Sequence, residues 1–451
     1  MSSKIKNRWL IALCAVGLHV SIGSVYAWSI FTLPLQEVFG WTSTQIAATF
    51  SINMLMFGLS AAFLGHLVEK HGPRKMGLLA AVLFGLGIAG SGLSVALSSP
   101  FMFYFTYGVL GGAGVGLGYI TPVSTLIKWF PDRRGMATGL AVMGFGLAPA
   151  IGSPLIKWLL FMGGLSQMSI TRTFIILGIF YFTIMMLSSL YLARPPQGWM
   201  LDSIKNQEKE DDCDRKKAAI AAGVGGDLSQ LTANEAIKTK RFWYLWIMIF
   251  INVTCGIAIV SMAKPLAVET AGFTVAAAAT LVGVLGVVNG LGRLVWASLS
   301  DVIGRLGVYF IFFMLQIAAF LILAFFALGH ISVVWLFVIL LVAIYSCYGG
   351  GFSVLPPFLC NLFGTKQLGA IHGYSLTALA AAGIAGPMIA SGIRDATGNH
   401  AASLIFFAGL FLIALTATVL MKFDITRLKT EKKLDKIIKL KAEKKALESA
   451  N

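Results

Sequence analysis

The sequence predicts an all-α protein that crosses a membrane twelve times, in two similar bundles of six helices. Three observations predict this fold. Hydrophobic residues make up 57% of the 451 residues and charged residues only 12%, an apolar excess that water-soluble domains do not need. Twelve apolar segments are long enough to cross a hydrocarbon core of about 30 Å. Features of the first half of the chain also recur in the second half.

The twelve predicted spans are runs of roughly 20 or more mostly apolar residues. Their approximate limits are 9–35, 44–67, 76–97, 100–129, 136–162, 173–193, 242–267, 274–299, 306–328, 332–362, 369–393 and 401–421. An even number of spans places both chain ends on one face. Segments rich in Lys and Arg alternate with segments almost without charge, so both termini are predicted to be cytoplasmic.

These limits divide the chain into four parts. We predict an N-terminal six-helix bundle, a polar cytoplasmic linker that is partly disordered, a C-terminal six-helix bundle and a basic cytoplasmic tail. The corresponding ranges are 1–193, 194–240, 241–422 and 423–451. The tail has two open interpretations, an amphipathic helix on the anionic inner leaflet or a solvated charged segment.

The charge and cysteine patterns exclude several classes of function. The net charge is +16, but the basic residues lie in short segments between apolar runs, which is the pattern of membrane topology and not of nucleic-acid binding. The five cysteines show no CxxC spacing, so neither structural disulfides nor a metal cluster is predicted. Because no span combines serine, histidine and an acid, we predict no enzyme activity, no catalytic residues and no cofactor.

The internal repeat is clearest in two loops. Gly65–Arg74 reads GHLVEKHGPR, and Ala297–Arg305 reads ASLSDVIGR. Further on, Gly135-Met-Ala-Thr-Gly139 corresponds to Gly369-Ala-Ile-His-Gly373. Two similar membrane halves predict a cavity at their interface that opens to either side as the halves rock. The predicted conformational or gating residues are Glu69, Gly72, Arg74, Arg134, Asp301, Gly304 and Arg305.

Several segments resemble a known family. The paired loops, with Gly118-Tyr-Ile-Thr-Pro122 and Trp129-Phe-Pro-Asp-Arg-Arg-Gly135, resemble the major facilitator superfamily. Three further segments resemble its oxalate/formate antiporter branch, a relative of the monocarboxylate porters; they read GSVYAWS from Gly23, LTANEAIKTK from Leu231 and NGLGR from Asn289. The resemblance implies alternating access for small carboxylates, by anion exchange or proton symport. We expect a monomer in the plasma (inner) membrane of a prokaryote.

One departure from that branch bears on the substrate. Its oxalate carriers pair the arginine of span 8 with a lysine of span 11, whereas this chain has alanine, best placed at Ala382. We therefore predict transport of a monocarboxylate of the formate, lactate, pyruvate or acetate class. Dicarboxylate/formate exchange and a carboxylate sensor that does not transport remain alternatives. Eukaryotic monocarboxylate porters have an aspartate four residues before the arginine, where this chain has Asn289.

The strongest candidate for substrate binding is Arg293. It lies eight residues before Asp301, hence about 12 Å along a helix that rises ~1.5 Å per residue. An arginine at that depth costs roughly 2.5–3.5 kcal/mol or more, and the 19 acids all lie at span ends, in loops or in the tail. Its partner is therefore predicted to be the substrate carboxylate. The alternative is an arginine bonded to helix-end carbonyls. Asn289, one turn earlier, is predicted to orient the arginine or to contact the substrate. The other interpretation of Asn289 is a structural hydrogen bond between helices.

Aromatic and histidine side chains complete the predicted site. Tyr26 lies seven residues after His19 and shares its helix face, while Trp28 points away. Tyr26 is the substrate-side choice, and His19 is the candidate for proton coupling, with a neutral interface histidine as the alternative. The remaining predicted cavity residues, which could equally be packing aromatics, are Tyr119, Tyr345, Tyr348 and Phe352. Proton symport and exchange both remain open.

Overall fold

The computed structural model describes residues 6–196, 199 and 228–450. Twelve of the described helical segments are long and apolar enough to cross a membrane, which confirms the predicted fold class. The helices are Arg8–Gly23 with Ser29–Phe39 (span 1), Ser43–His71 (span 2), Pro73–Ala96 (span 3), Pro100–Phe103 with Gly112–Trp129 (span 4), Arg134–Phe161 (span 5), Gln167–Tyr191 (span 6), Lys240–Ala271 (span 7), Val275–Ile303 (span 8), Arg305–Ala327 (span 9), Val334–Phe363 (span 10), Leu368–Ser375 with Thr377–Thr397 (span 11) and Ala401–Ala450 (span 12).

The ends of the chain differ from the prediction in one respect. The helix of span 12 does not end near residue 421 but continues to Ala450. The residues beyond 421 are mostly Lys, Glu, Ala and Leu, which favour helix. Most of the predicted linker, residues 200–227, lies outside the described residues. Its described end forms the short helix Ala233–Ala236, capped by Thr232 and Glu235 in a capping box.

Both described chain ends lie on the same face of the bundle, here called the termini face. Arg8 at the start of span 1 forms an ion pair with Asp132 in the turn between spans 4 and 5, at 3.1 Å. Arg241 at the start of span 7 likewise pairs with Asp424 in span 12, at 3.6 Å. These pairs fix span 1 to the turn between spans 4 and 5, and span 7 to span 12, on that face.

The glycine-rich run of span 4 serves helix packing. A Cβ at Gly114 would lie 2.5 Å from the backbone nitrogen of Phe84 in span 3, and one at Gly116 would lie 2.3 Å from the carbonyl oxygen of Phe57 in span 2. Such approaches are open only to residues without a side chain. The run therefore brings spans 2, 3 and 4 together inside the N-terminal bundle.

The two bundles meet through span 5 against span 8 and span 2 against span 11. Their contact is tight toward the termini face, where a Cβ at Gly373 would lie 1.9 Å from the carbonyl oxygen of Ala61 and one at Gly135 would lie 2.0 Å from that of Ala297. Toward the opposite face, a Cβ at Gly383 of span 11 would meet no atom within 4 Å. The bundles are thus closed on the termini face and separated on the other.

Candidate functional site

Arg293 lies in the middle of span 8 and is only 2% exposed. Its Nε and Nη2 both donate to Oδ1 of Asn289, at 3.3 and 3.1 Å, and its Nη1 donates to the carbonyl oxygen of Val142 in span 5, at 3.3 Å. Asn289 in turn donates to the carbonyl oxygen of Tyr345 in span 10, at 3.0 Å. No carboxylate among the described residues pairs with this guanidinium. The arginine is therefore held in place but lacks a counter-charge.

Aromatic side chains from both bundles surround the guanidinium. Its central carbon lies 5.6 Å from the ring centre of Phe145 and 5.4 Å from that of Phe352, distances at which a cation is attracted to a ring face. The Tyr26 hydroxyl interacts with Arg293 and with Tyr348. Tyr26 is partly exposed, whereas the other three aromatic residues are buried. The predicted residues Tyr26, Tyr348 and Phe352 thus lie together around Arg293.

The remaining predicted aromatic residues have different positions. Tyr345 contributes its backbone carbonyl to Asn289, and its buried hydroxyl has no hydrogen-bond partner. Tyr119 packs on the ring of Phe145 at 5.4 Å and is not among the groups that contact the guanidinium. Trp28 stacks within the N-terminal bundle, 4.5 Å from the ring centre of Tyr107, so its predicted orientation away from Tyr26 agrees with the structure.

His19 is completely buried next to Tyr119. Its Nε2 lies 3.2 Å from the carbonyl oxygen of Tyr119, and its ring meets the Tyr119 ring edge-on at 5.1 Å. This hydrogen bond crosses between spans 1 and 4. The positive charge of Arg293 also acts on His19, so the two residues share one electrostatic environment.

Two residues near the site were missed by the sequence reasoning. Phe145 of span 5 contacts Arg293, Tyr26, His19 and Tyr119, but one phenylalanine among 32 gives no sequence signal. His372 of span 11 is completely buried, and its ring lies 5.7 Å from that of Tyr119. A signal for His372 was present in the sequence, because a histidine within a predicted span is an ionisable residue inside the membrane.

The position proposed for the missing lysine requires a correction. Ala382 is buried four residues before Gly386, where a Cβ would lie 2.5 Å from the carbonyl oxygen of Thr254 in span 7. Ala382 therefore faces the interior of its own bundle.

The termini face is closed by two equivalent contacts, one from each half of the repeat. Asp301 accepts hydrogen bonds from the backbone nitrogens of Gly135 and Met136 at the start of span 5, both at 2.9 Å. Glu69 accepts one from the nitrogen of Gly369 at the start of span 11, at 2.8 Å. Each acid thus caps a helix of the other bundle, where the helix dipole favours negative charge.

The other five predicted gating residues are three arginines and two glycines. Arg305 pairs with Asp301, and Arg134 donates to Asn361 of span 10 at 3.4 Å. Gly72 and Gly304 have φ angles of +86° and +87°, a backbone region that favours glycine. Arg74 is exposed and forms none of the ion pairs seen among the described residues.

The gating role of Arg74 stays a prediction, and Arg74 does not take the position that Arg305 has in the second half of the repeat. Arg305 directly follows Gly304, but Pro73 occupies the position after Gly72. Arg74 is displaced by one residue, which on a helix rotates a side chain by about 100°. In its place Arg194, beyond the end of span 6, donates to the carbonyl oxygens of Val68 and Glu69.

Two six-helix bundles that meet around a buried arginine and separate on one face have the architecture of an alternating-access carrier. The sequence profile of the Major Facilitator Superfamily matches residues 11–387 and 258–448, and the chain belongs to this superfamily.

Relatives within the superfamily include carriers of small carboxylates. The oxalate:formate antiporter of Oxalobacter formigenes is 26% identical over 445 residues, covering 98% of this chain and 96% of the relative. Apicoplast pyruvate carrier 1 of Toxoplasma gondii is 23% identical, covering 82% and 81%. A crystal structure of a variant of the E. coli fucose:proton symporter FucP shares the fold, with a TM-score of 0.66 at 17% identity over 92% of this chain and 99% of FucP.

Proposed function

We propose that this protein is a secondary active transporter of small monocarboxylate anions, of the formate, lactate, pyruvate or acetate class. The observation that carries the proposal is the uncompensated guanidinium of Arg293 at the interface of the two bundles. A buried cation without a partner destabilises the protein, and an ionisable residue inside a membrane span usually serves function. A carboxylate from the substrate supplies the missing charge.

The hydrogen bonds of Arg293 leave room for that carboxylate. A guanidinium has five N–H donors, and three of them bond to Asn289 and Val142. One N–H on Nη1 and one on Nη2 bond to neither residue, and the Tyr26 hydroxyl oxygen interacts with the guanidinium. A carboxylate that accepts from these two N–H groups replaces Tyr26 as their partner, and the Tyr26 O–H then donates to the carboxylate. Asn289 thus acts as a positioning residue for the arginine.

The substrate class follows from the number of cations. Around Arg293 the neighbouring groups are aromatic or amide side chains, and the described residues place no second cation in contact with it. A dianion would have one carboxylate without a charged partner, whereas a monocarboxylate leaves only a small tail to pack on Phe145 and Phe352. The similarity to the Oxalobacter formigenes oxalate:formate antiporter keeps dicarboxylate/formate exchange as the second candidate.

Transport proceeds by alternating access. Asp301 and Glu69 hold the termini face closed while substrate enters from the opposite face; their release from the starts of spans 5 and 11 opens the other path. We assign the termini face to the cytoplasm from the distribution of Lys and Arg. We favour proton symport through His19, whose ring packs on Phe145, the residue that also contacts Arg293. Anion exchange, in which the bound carboxylate neutralises Arg293 and lets the carrier reorient, is the second candidate for coupling.

Counterflow in proteoliposomes tests the proposed function. Vesicles loaded with unlabelled formate or lactate should accumulate the labelled anion transiently, and protein-free vesicles should not. Saturable binding of these acids without any flux would instead identify a carboxylate sensor with a transporter fold. Preference for oxalate over formate and lactate would favour the second candidate.

A lysine placed at Ala382 should leave the substrate preference unchanged. We expect the ratio of oxalate to formate counterflow of Ala382→Lys to match that of the wild type, because this side chain faces span 7 and not Arg293. A shift of the ratio toward oxalate in a transport-active protein would contradict the assigned geometry.

A further inference from the structure

The structure contains a second buried polar cluster at the interface of the two bundles, formed by His19, Tyr119 and His372. All three are at most 1% exposed. His19 and Tyr119 belong to the N-terminal bundle and His372 to the C-terminal one. The rings of His19 and His372 lie on Tyr119, at 5.1 and 5.7 Å. The cluster therefore exists only while span 11 is packed against the N-terminal bundle.

Three polar atoms of this cluster lack partners. Neither ring nitrogen of His372 has a hydrogen bond, and the hydroxyl of Tyr119 has none either. Buried polar groups are almost always hydrogen-bonded, and leaving one unmade costs about 1–3 kcal/mol. Three such atoms on two rings in contact indicate a site that a small polar species occupies during the working cycle.

The cluster extends from the arginine site toward the termini face. The ring of Phe145 contacts Arg293, His19 and Tyr119. His372 lies four residues from the start of span 11 and three after Gly369, whose nitrogen donates to Glu69 in the closed gate. An anion that leaves Arg293 toward the termini face therefore passes His372 before it reaches the gate.

We infer that His19, Tyr119 and His372 form a second substrate subsite, which holds the carboxylate together with one proton on its way to the termini face. In the neutral cluster the N–H of His19 already bonds to the carbonyl oxygen of Tyr119. One N–H of His372 and the O–H of Tyr119 are then the donors left for a carboxylate, and they do not balance its charge. A proton on an imidazole supplies that charge. The proton adds to a ring nitrogen lone pair, and no other bond forms or breaks.

Electrostatics explains why the proton and the anion bind together. The charge of Arg293 acts on His19, and His19 acts on His372, so in the empty carrier a proton here is repelled. A carboxylate adds one negative charge and removes that repulsion. Glu69 is bonded to the backbone of Gly369, and no charged side chain of the described parts of spans 7 and 10 is found to act on His372. The loaded and empty sites then carry the same net charge.

Proton uptake on substrate binding tests this inference, which rests on the proposed function. Purified protein in nanodiscs is mixed with sodium formate in weakly buffered solution, with a pH-indicator dye, and bound formate is counted separately. We expect the wild type to take up about one proton per formate. His372→Gln, which retains polarity but cannot be protonated, should bind formate without proton uptake. His330→Gln, an exposed histidine between spans 9 and 10, is the matched control and should behave as the wild type.

The possible outcomes separate the two proposals. Formate binding by the wild type without proton uptake overturns the second subsite and proton symport, and leaves a carboxylate carrier that works by anion exchange. If His372→Gln takes up protons as the wild type does, or if only His19→Gln abolishes uptake, the second subsite alone is overturned. Absence of formate binding by the wild type overturns both proposals. If His372→Gln does not fold, His372→Asn and the wild-type stoichiometry still decide the question.

Discussion

Arg293→Lys should lose most of its transport activity although the positive charge remains. A single ammonium group cannot donate two hydrogen bonds to Oδ1 of Asn289, as Nε and Nη2 of Arg293 do, and also present two parallel donors to a carboxylate. Loss of one charge-assisted hydrogen bond corresponds to roughly 1.5–3 kcal/mol, or about 10- to 100-fold in affinity. The measurement is the initial rate of formate or lactate counterflow in proteoliposomes, at equal amounts of reconstituted protein.

Arg394→Lys is the matched control for this variant. Arg394 lies near the other end of span 11, is partly exposed and pairs with Glu269 at 2.7 Å. Exposed ion pairs contribute little, so counterflow should stay close to the wild type. Transport by Arg293→Lys within twofold of the wild type would assign Arg293 to a structural role.

Gly373→Ala should prevent closure of the termini face. The added Cβ would lie 1.9 Å from the carbonyl oxygen of Ala61 across the bundle interface, and two backbones cannot adjust to that distance without separating. We therefore expect a carrier held open on the termini face, which binds substrate but gives almost no counterflow. Accessibility of a cysteine introduced near this interface to impermeant thiol reagents from the termini face should increase.

Gly383→Ala provides the control for this effect. Gly383 lies in the same span, ten residues further along, and a Cβ there would meet no atom within 4 Å. The substitution even removes a helix-destabilising glycine, so transport and cysteine accessibility should match the wild type. If Gly373→Ala transports normally, the tight approach of spans 2 and 11 is not part of the transport cycle.

Span positions and the gate acids could be predicted from the sequence because they depend on local patterns. The lengths of the apolar segments and the charged residues in the loops between them identify the spans. The internal repeat identifies Glu69 and Asp301. The depth of Arg293 follows from counting residues along one helix. The pairing of Tyr26 with His19 on one face follows from helical periodicity.

What the sequence could not provide depends on contacts between distant spans. Phe145 becomes central only because span 5 packs against spans 1, 4 and 8. The direction in which Ala382 faces depends on the rotation of span 11 about its axis. A sequence does not show this rotation, because the span is broken at Leu376 between its two helices. Arg74 is displaced by one residue relative to Arg305, because Pro73 stands between Gly72 and Arg74.

Equilibrium binding tests most directly whether Arg293 recognises the carboxylate. Calorimetric titration of the purified protein with lactate and with lactamide, its neutral amide analogue, compares ligands of nearly the same shape that differ in charge. We predict that the wild type binds lactate and not lactamide, and that Arg293→Lys binds lactate at least about tenfold more weakly. Equal binding of lactate and lactamide, or unchanged lactate affinity in Arg293→Lys, would contradict the account.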